Sequence, residues 1–240
     1  MDQPDIGAYY DRFWSGADPA ALAAHDYRAF QADLFAYVDQ LLGPLAGRRV
    51  LEIGPGLGHD TLRLAQRGAE VWAIDLSQRS LEIVAARCAA AGVGDRVHLV
   101  RMNGERLGFP DASFDLTYVQ NTLVHADWPR VVHECARVLR PGGRLVALEL
   151  VRPRQNLRSA PLRLYFRHLV PILGGIVSGD FAAYRYLPRS AQSLTANDLA
   201  RAVAEAGLEP EGWWELAGGM VSLHLAVRPK GLEPPPHHDG

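Results

Sequence analysis

The sequence predicts an α/β fold: a doubly wound, seven-stranded, mostly parallel sheet with a helical lid before its first strand and a helical cap after its fifth. Three observations carry this. Between Leu45 and Leu150 short apolar runs alternate with amphipathic stretches and short turns, the pattern of strands joined by crossover helices. The run Val50, Leu51, Ile53 breaks at Gly54, Gly56 and Gly58 before an amphipathic stretch begins, which reads as buried strand, tight turn and helix start. A second apolar strand then ends in Asp75, about 20 residues after the glycine turn, where a carboxylate can grip a ribose.

In chain order, residues 5–42 are rich in alanine and aromatics at helical spacing, with Asp18-Pro19 as a helix start. They form the lid segment, and Tyr9, Tyr10 and Trp14 either close over a ligand or pack a helical layer on the sheet. Strand 49–53 leads into helix 58–67, strand 70–75 into helix 78–91, and strand 97–101 into a loop through Gly108 and Pro110. Strand 114–119 leads into helix 128–139, Gly142-Gly143 is a turn, and strand 144–150 follows. The segment 157–190, with Tyr165 among its apolar residues, is expected to cap the substrate side. A helix near 195–206 and strands near 212–217 and 220–228 close the sheet as an antiparallel hairpin. The domain spans 45–229, the lid 1–44, and the proline- and histidine-containing stretch 230–240 is expected to be a disordered tail.

Composition excludes several classes. At 240 residues, 48% hydrophobic and a formal charge of −2, the chain is one ordinary globule with no basic excess for a nucleic acid. Cys88 and Cys135 lie in helical patterns without metal-type spacing, so buried thiols and no metal site are expected. The N-terminus lacks the parts of a signal peptide and no segment offers about 18 unbroken apolar residues. A cytoplasmic protein without a spanning segment is therefore expected, and a homodimer is left open.

The glycine turn points to a nucleotide-like cofactor, because glycines let the backbone approach a ligand and the following helix offers unpaired N–H groups. The third glycine comes one residue early for a dinucleotide turn, with His59 in its place. With Glu52 inside the first strand and Asp75 after the second, these residues resemble the first two motifs of class I S-adenosylmethionine (SAM) dependent methyltransferases, which have a Rossmann-like fold. Phe109-Pro-Asp-Ala-Ser-Phe-Asp115 and Ala136-Arg-Val-Leu-Arg-Pro-Gly-Gly143 are similar to further motifs of the same class. Asn103, beside Gly104 at the third strand end, is the expected adenine contact.

Beyond Leu150, Gly179-Asp-Phe-Ala-Ala-Tyr-Arg-Tyr-Leu-Pro-Arg-Ser190 and Leu216-Ala-Gly-Gly-Met-Val-Ser-Leu-His224 resemble the C-terminal part of the ubiquinone/menaquinone biosynthesis C-methyltransferases. The resemblance implies SAM as cofactor, S-adenosylhomocysteine (SAH) as product, and cofactor contacts at Thr61, Asp75, Asn103, Gly104 and Gln120. Glu52, Gly54, Gly56 and Leu76 complete the expected cofactor set. After strand four that family carries an arginine and an asparagine where this chain has Val124 and His125. The departure shifts the expected acceptor to a small apolar molecule, phenolic or polyketide-like, methylated at carbon or oxygen. Two alternatives stand beside it: methylation of a quinone precursor, and a SAM-binding cyclase or rearrangement catalyst without methyl transfer. His125 is the expected general base. Tyr184 and His224 are reserves, and Tyr9, Tyr10, Trp14 and Tyr165 are the expected substrate contacts.

Overall fold

The computed structural model describes residues 6–13, 15, 32–152 and 194–231. The helices are α1 (Ile6–Phe13), α2 (Ala32–Leu42), α3 (His59–Gln66), α4 (Gln78–Ala90), α5 (Trp128–Val138) and α6 (Ala196–Glu205). The strands are β1 (Arg49–Ile53), β2 (Glu70–Asp75), β3 (Val97–Arg101), β4 (Phe114–Gln120), β5 (Leu139–Leu150), β6 (Glu209–Leu216) and β7 (Val221–Val227). They form one seven-stranded sheet in the order β3-β2-β1-β4-β5-β7-β6. The first five pair in parallel, and β7 runs antiparallel to both β5 and β6. The expected doubly wound architecture is therefore present. Strand order reverses between β1 and β4, whose carboxyl ends open the crevice in which such sheets collect ligands.

Local sequence explains the helix starts. Ser77 caps α4 by accepting the Ser80 amide, and Thr195 and Asp198 form a reciprocal capping box on α6. Apolar side chains fill both faces of the sheet, as its parallel strands require. On one face Leu51, Ile53, Val119 and Ala147 pack with Val131 and Cys135 of α5 and Leu199 of α6. On the other, Val50, Val71, Tyr118 and Leu148 pack with Leu64 of α3 and with Phe35, Val38 and Leu42 of α2. The second half of the expected lid is thus a core layer, while α1 reaches the crevice.

The structure corrects the turn expected at Gly142-Gly143. The residues belong to β5, which begins at Leu139. Leu139 pairs with Phe114 and Arg144 with Leu116, so the intervening residues bulge from the β4–β5 ladder. Gly142 N–H donates to Arg228 O at 2.7 Å and Arg228 N–H to Gly143 O at 2.8 Å. This exchange with the chain after β7 keeps the bulge in the sheet. The Arg228 guanidinium also donates to the carbonyls of Ala136, Arg137 and Leu139 at the end of α5, where a helix leaves acceptors unmatched. No helix among the described residues is long and apolar enough to cross a membrane. Trp14, the Asp18-Pro19 helix start, the 157–190 cap with Tyr165 and Tyr184, and residues 232–240 lie outside the described residues, as does the side chain of Tyr9.

Candidate active site

The crevice at the ends of β1, β2 and β4 is a cavity of about 310 Å³. Its lining includes Gly54, Gly56, Asp75, Leu76, Asn103, Gly104, Gln120, His125 and Tyr10, so most of the expected cofactor residues and the expected base meet there. On the cofactor wall the backbone does the shaping. Gly54 turns at a φ of +71°, and a Cβ there would stand 2.2 Å from Thr122 Oγ1. A Cβ on Gly104 would meet Ile53 Cγ2 at 2.8 Å, so the loop after β3 lies against the end of β1. At both positions a neighbouring side chain, Thr122 or Ile53, already stands where a Cβ would go, so the two loops pack directly on the strand ends.

Asp75, the last residue of β2, is held by the start of the helix that follows it. Its Oδ1 accepts the Ser77 amide at 2.9 Å and its Oδ2 accepts the Ser80 hydroxyl at 2.9 Å. Burial pushes its carboxyl above the usual range, and these bonds oppose the shift. Asn103 Oδ1 accepts Glu105 N–H at 2.9 Å, fixing a local turn; a carboxamide oxygen keeps a second lone pair for an adenine amino group. Gln120 Oε1 accepts the Tyr118 hydroxyl at 3.0 Å. That hydroxyl also meets Arg63, which pairs with Asp60 and Asp39, so Gln120 ends a polar chain running in from α2 and α3. Glu52 and Thr61 stand apart: both are buried, the Thr61 hydroxyl donates to Glu52 Oε2 at 2.6 Å, and neither lines the cavity. They brace β1 to α3 behind the glycine turn.

The opposite wall is built by side chains. Asn121 adopts a φ of +51°, uncommon for a residue with a Cβ and typical of constrained sites. Its Oδ1 accepts the Leu150 amide at 3.2 Å. The Thr122 hydroxyl lies 3.0 Å from Gln120 O and 3.2 Å from Ile53 O. A single helical turn, Leu123–His125, follows. Glu149, fully buried on β5, accepts the amides of Thr122 and Leu123 on Oε1 at 2.9 and 3.1 Å. Its Oε2 is buried without a hydrogen-bond partner, and burial pushes its carboxyl up to about 8. His125 Nε2 lies 3.2 Å from the Tyr10 hydroxyl of α1, with the two rings edge to face. Burial lowers the His125 pKa, so the imidazole is neutral at neutral pH, the form that accepts a proton.

His224 is corrected from reserve catalyst to core residue. It is buried in β7, 2.6 Å from the Ser222 hydroxyl and stacked on Trp213 at 4°, and it does not line the cavity. Desolvation lowers its pKa to about 4. Sequence reasoning missed Ser80, Met102, Thr122 and Glu149. Ser80 carried a signal, since Ser77 and Ser80 stand three apart just after Asp75, the spacing of a helix cap.

The described lining fits SAM. It carries two carboxylates, Asp75 and Glu105, and no lysine or arginine, which suits a cationic sulfonium. Ile53, Ile74, Met102 and Val131 offer apolar surface beside Asn103 and Gly104 for a base ring.

A family model described as the ubiE/COQ5 methyltransferase family matches residues 28–228. The demethylmenaquinone methyltransferase of Tropheryma whipplei (strain Twist) is 38% identical over 192 residues, covering 79% of this chain and 78% of that one. The ubiquinone/menaquinone biosynthesis C-methyltransferase UbiE of Pseudomonas aeruginosa (strain LESB58) is 32% identical over 197 residues, covering 79% and 76%. Among solved structures, the [4+2]-cyclase SpnF superposes with a TM-score of 0.67 at 20% identity, over 94% of this chain and 96% of that one; this likeness is one of fold. With its glycine turn, the Asp75 carboxylate at the end of β2 and the sheet order in place, the chain belongs to the ubiE/COQ5 methyltransferase family and is a SAM-dependent methyltransferase.

Proposed function

We propose that the chain methylates a ring carbon of a small hydroxylated aromatic, a demethylated quinol of quinone biosynthesis, with His125 as general base. The names and extent of the relatives favour a quinol over the phenolic or polyketide-like acceptor that the substitution at Val124 suggested. The single observation that carries the mechanism is the approach of the Tyr10 hydroxyl to His125 Nε2 on the cavity wall.

When bound, SAM supplies a methyl group activated by a positively charged sulfur. Asp75 holds the ribose hydroxyls, Asn103 and the apolar residues around it hold the adenine, and Gln120 faces the amino-acid end. The Tyr10 hydroxyl stands between: it donates to His125 Nε2 and takes the proton of an acceptor hydroxyl in turn, which raises electron density at the ring carbon beside that hydroxyl, and once methylated this carbon sheds its own hydrogen as a proton to restore the aromatic ring. Tyr10, from the lid helix, orients the imidazole and covers it from water. Val124 leaves no guanidinium at that point of the loop, so His125 and Tyr10 are the proton-handling pair of the described wall.

The test is to incubate the full chain with SAM and a demethylated quinol, or with simple phenols, and to analyse the products by mass spectrometry and NMR. The expected result is a gain of one CH2 on a ring carbon of the quinol, with SAH formed in equal amount. Methylation at oxygen, or of phenols alone, would overturn the acceptor. A changed product without that gain would replace the reaction by a rearrangement.

A further inference from the structure

Helix α1 carries Tyr10 and, next to it, Asp11. Tyr10 lines the cavity and meets His125 on the acceptor wall. Asp11 turns the other way: its Oδ1 accepts the Ser77 hydroxyl at 2.6 Å and the Arg79 amide at 3.1 Å. The carboxylate thus sits on the first turn of α4, where amide groups point outward and negative charge is favoured.

Ser77 joins this contact to the cofactor wall. Its Oγ accepts the Ser80 amide at 3.1 Å while its own amide donates to Asp75 Oδ1 at 2.9 Å. The Ser80 hydroxyl lies 2.9 Å from Asp75 Oδ2 and 2.8 Å from the carbonyl of Gly56 in the glycine turn. One unbroken hydrogen-bonded chain therefore runs from the lid helix through Ser77 and Ser80 to the carboxylate that faces the ribose. An ordinary helix cap needs no such partner from a segment 66 residues away, because Ser77 already caps α4 by itself.

We infer that Asp11 is a positioning residue that latches α1 onto the Ser77–Ser80–Asp75 chain, so that cofactor binding at Asp75 and closure of Tyr10 over His125 are linked. Linkage of this kind is reciprocal: a cofactor that steadies the chain steadies the lid, and the closed lid retains the cofactor. The inference rests on the cofactor seat and not on the identity of the acceptor. A loosened latch lets α1 swing away while α3, α4 and the sheet keep their own contacts.

The test follows amide hydrogen exchange over residues 6–13 of the full chain, with and without SAH, in the wild type, Asp11→Ala and Asp11→Asn, alongside calorimetric titration of SAH. In the wild type SAH is expected to slow exchange in α1 about tenfold, and Asp11→Ala to abolish that slowing while weakening SAH roughly three- to tenfold. Asp11→Asn keeps an oxygen that accepts from Ser77 and Arg79, so it is expected to restore both. A residue that merely stabilised α4 would slow α1 exchange equally in all three proteins, which overturns the latch. Calorimetric binding of SAH to the wild type without any slowing in α1 also overturns it, and leaves the cofactor seat standing.

Discussion

The two walls of the cavity are made in different ways. The cofactor wall is backbone: a glycine turn after β1, a glycine pressed on Ile53 after β3, and strand-end residues held by the helix that follows them. The opposite wall is side chain: Thr122 against Gly54, Glu149 under two amides, and Tyr10 on His125. Backbone-built surfaces tolerate little change at the glycines and much elsewhere. A wall built of side chains depends on which residues are present and how they are protonated.

The largest expected effect separates the walls by pH. Glu149 is protonated in the folded chain up to about pH 8, against an ordinary value of 4.5. The folded state therefore holds a proton that the unfolded chain releases between these values. Its contribution is complete below the unfolded value and is lost as pH rises through the folded one, with a ceiling on the order of 5 kcal/mol. Urea midpoints of the wild type should fall from about pH 5 to about pH 8, and those of Glu149→Gln should fall less. Equal slopes would show that the carboxyl does not titrate between the two states. His224 pulls the other way at lower pH: its folded value near 4 makes stability fall as pH drops from its ordinary value through the folded one.

Next in size, His125→Ala should lower kcat ~100-fold at neutral pH with SAM affinity kept, confining the damage to one wall. A normal rate would leave His125 as scaffold alone. Gly54→Ala strikes the seam between the walls, and should cost about 2–3 kcal/mol of stability and weaken SAM binding. Adding Thr122→Ala removes the two nearest atoms and leaves a Cβ at 3.0 Å, so part of the cost should be recovered and at least roughly 1 kcal/mol should remain for a left-handed residue with a Cβ; no recovery in the double variant would place the cost elsewhere. Smallest, Asp75→Ala should weaken SAM by roughly 1–3 kcal/mol in calorimetry, through loss of charge-assisted bonds. An unchanged titration would remove the ribose contact.

The same contrast governs what could be read from the sequence. β1 and β2 occupy the residues expected for them because a buried parallel strand is an apolar run bounded by turn residues, and so does the half-buried edge strand β3, a short run with apolar Val97, Leu99 and Val100. Asp75 and Asn103 line the cavity for a related reason, since residues just past strand ends at a switch point face the crevice whatever their partners. Glu52 and Thr61 were read as cofactor contacts because they belong to the motif, but spacing does not say that their side chains turn inward to one another. Glu149 acts 27 residues from Thr122 and so left no local trace. The start of β5 at Leu139 was hidden likewise, because its glycine pair reads locally as a turn until Arg228 supplies the missing ladder bonds.

The single turn at 123–125 hangs from Glu149 by main-chain N–H groups at Thr122 and Leu123, and closes on itself through His125 N–H to Thr122 O at 3.0 Å. Donors of that kind are common to every residue except proline. The loop therefore holds its shape without calling on the side chains of Val124 and His125, and either can be exchanged with the turn still anchored to β5.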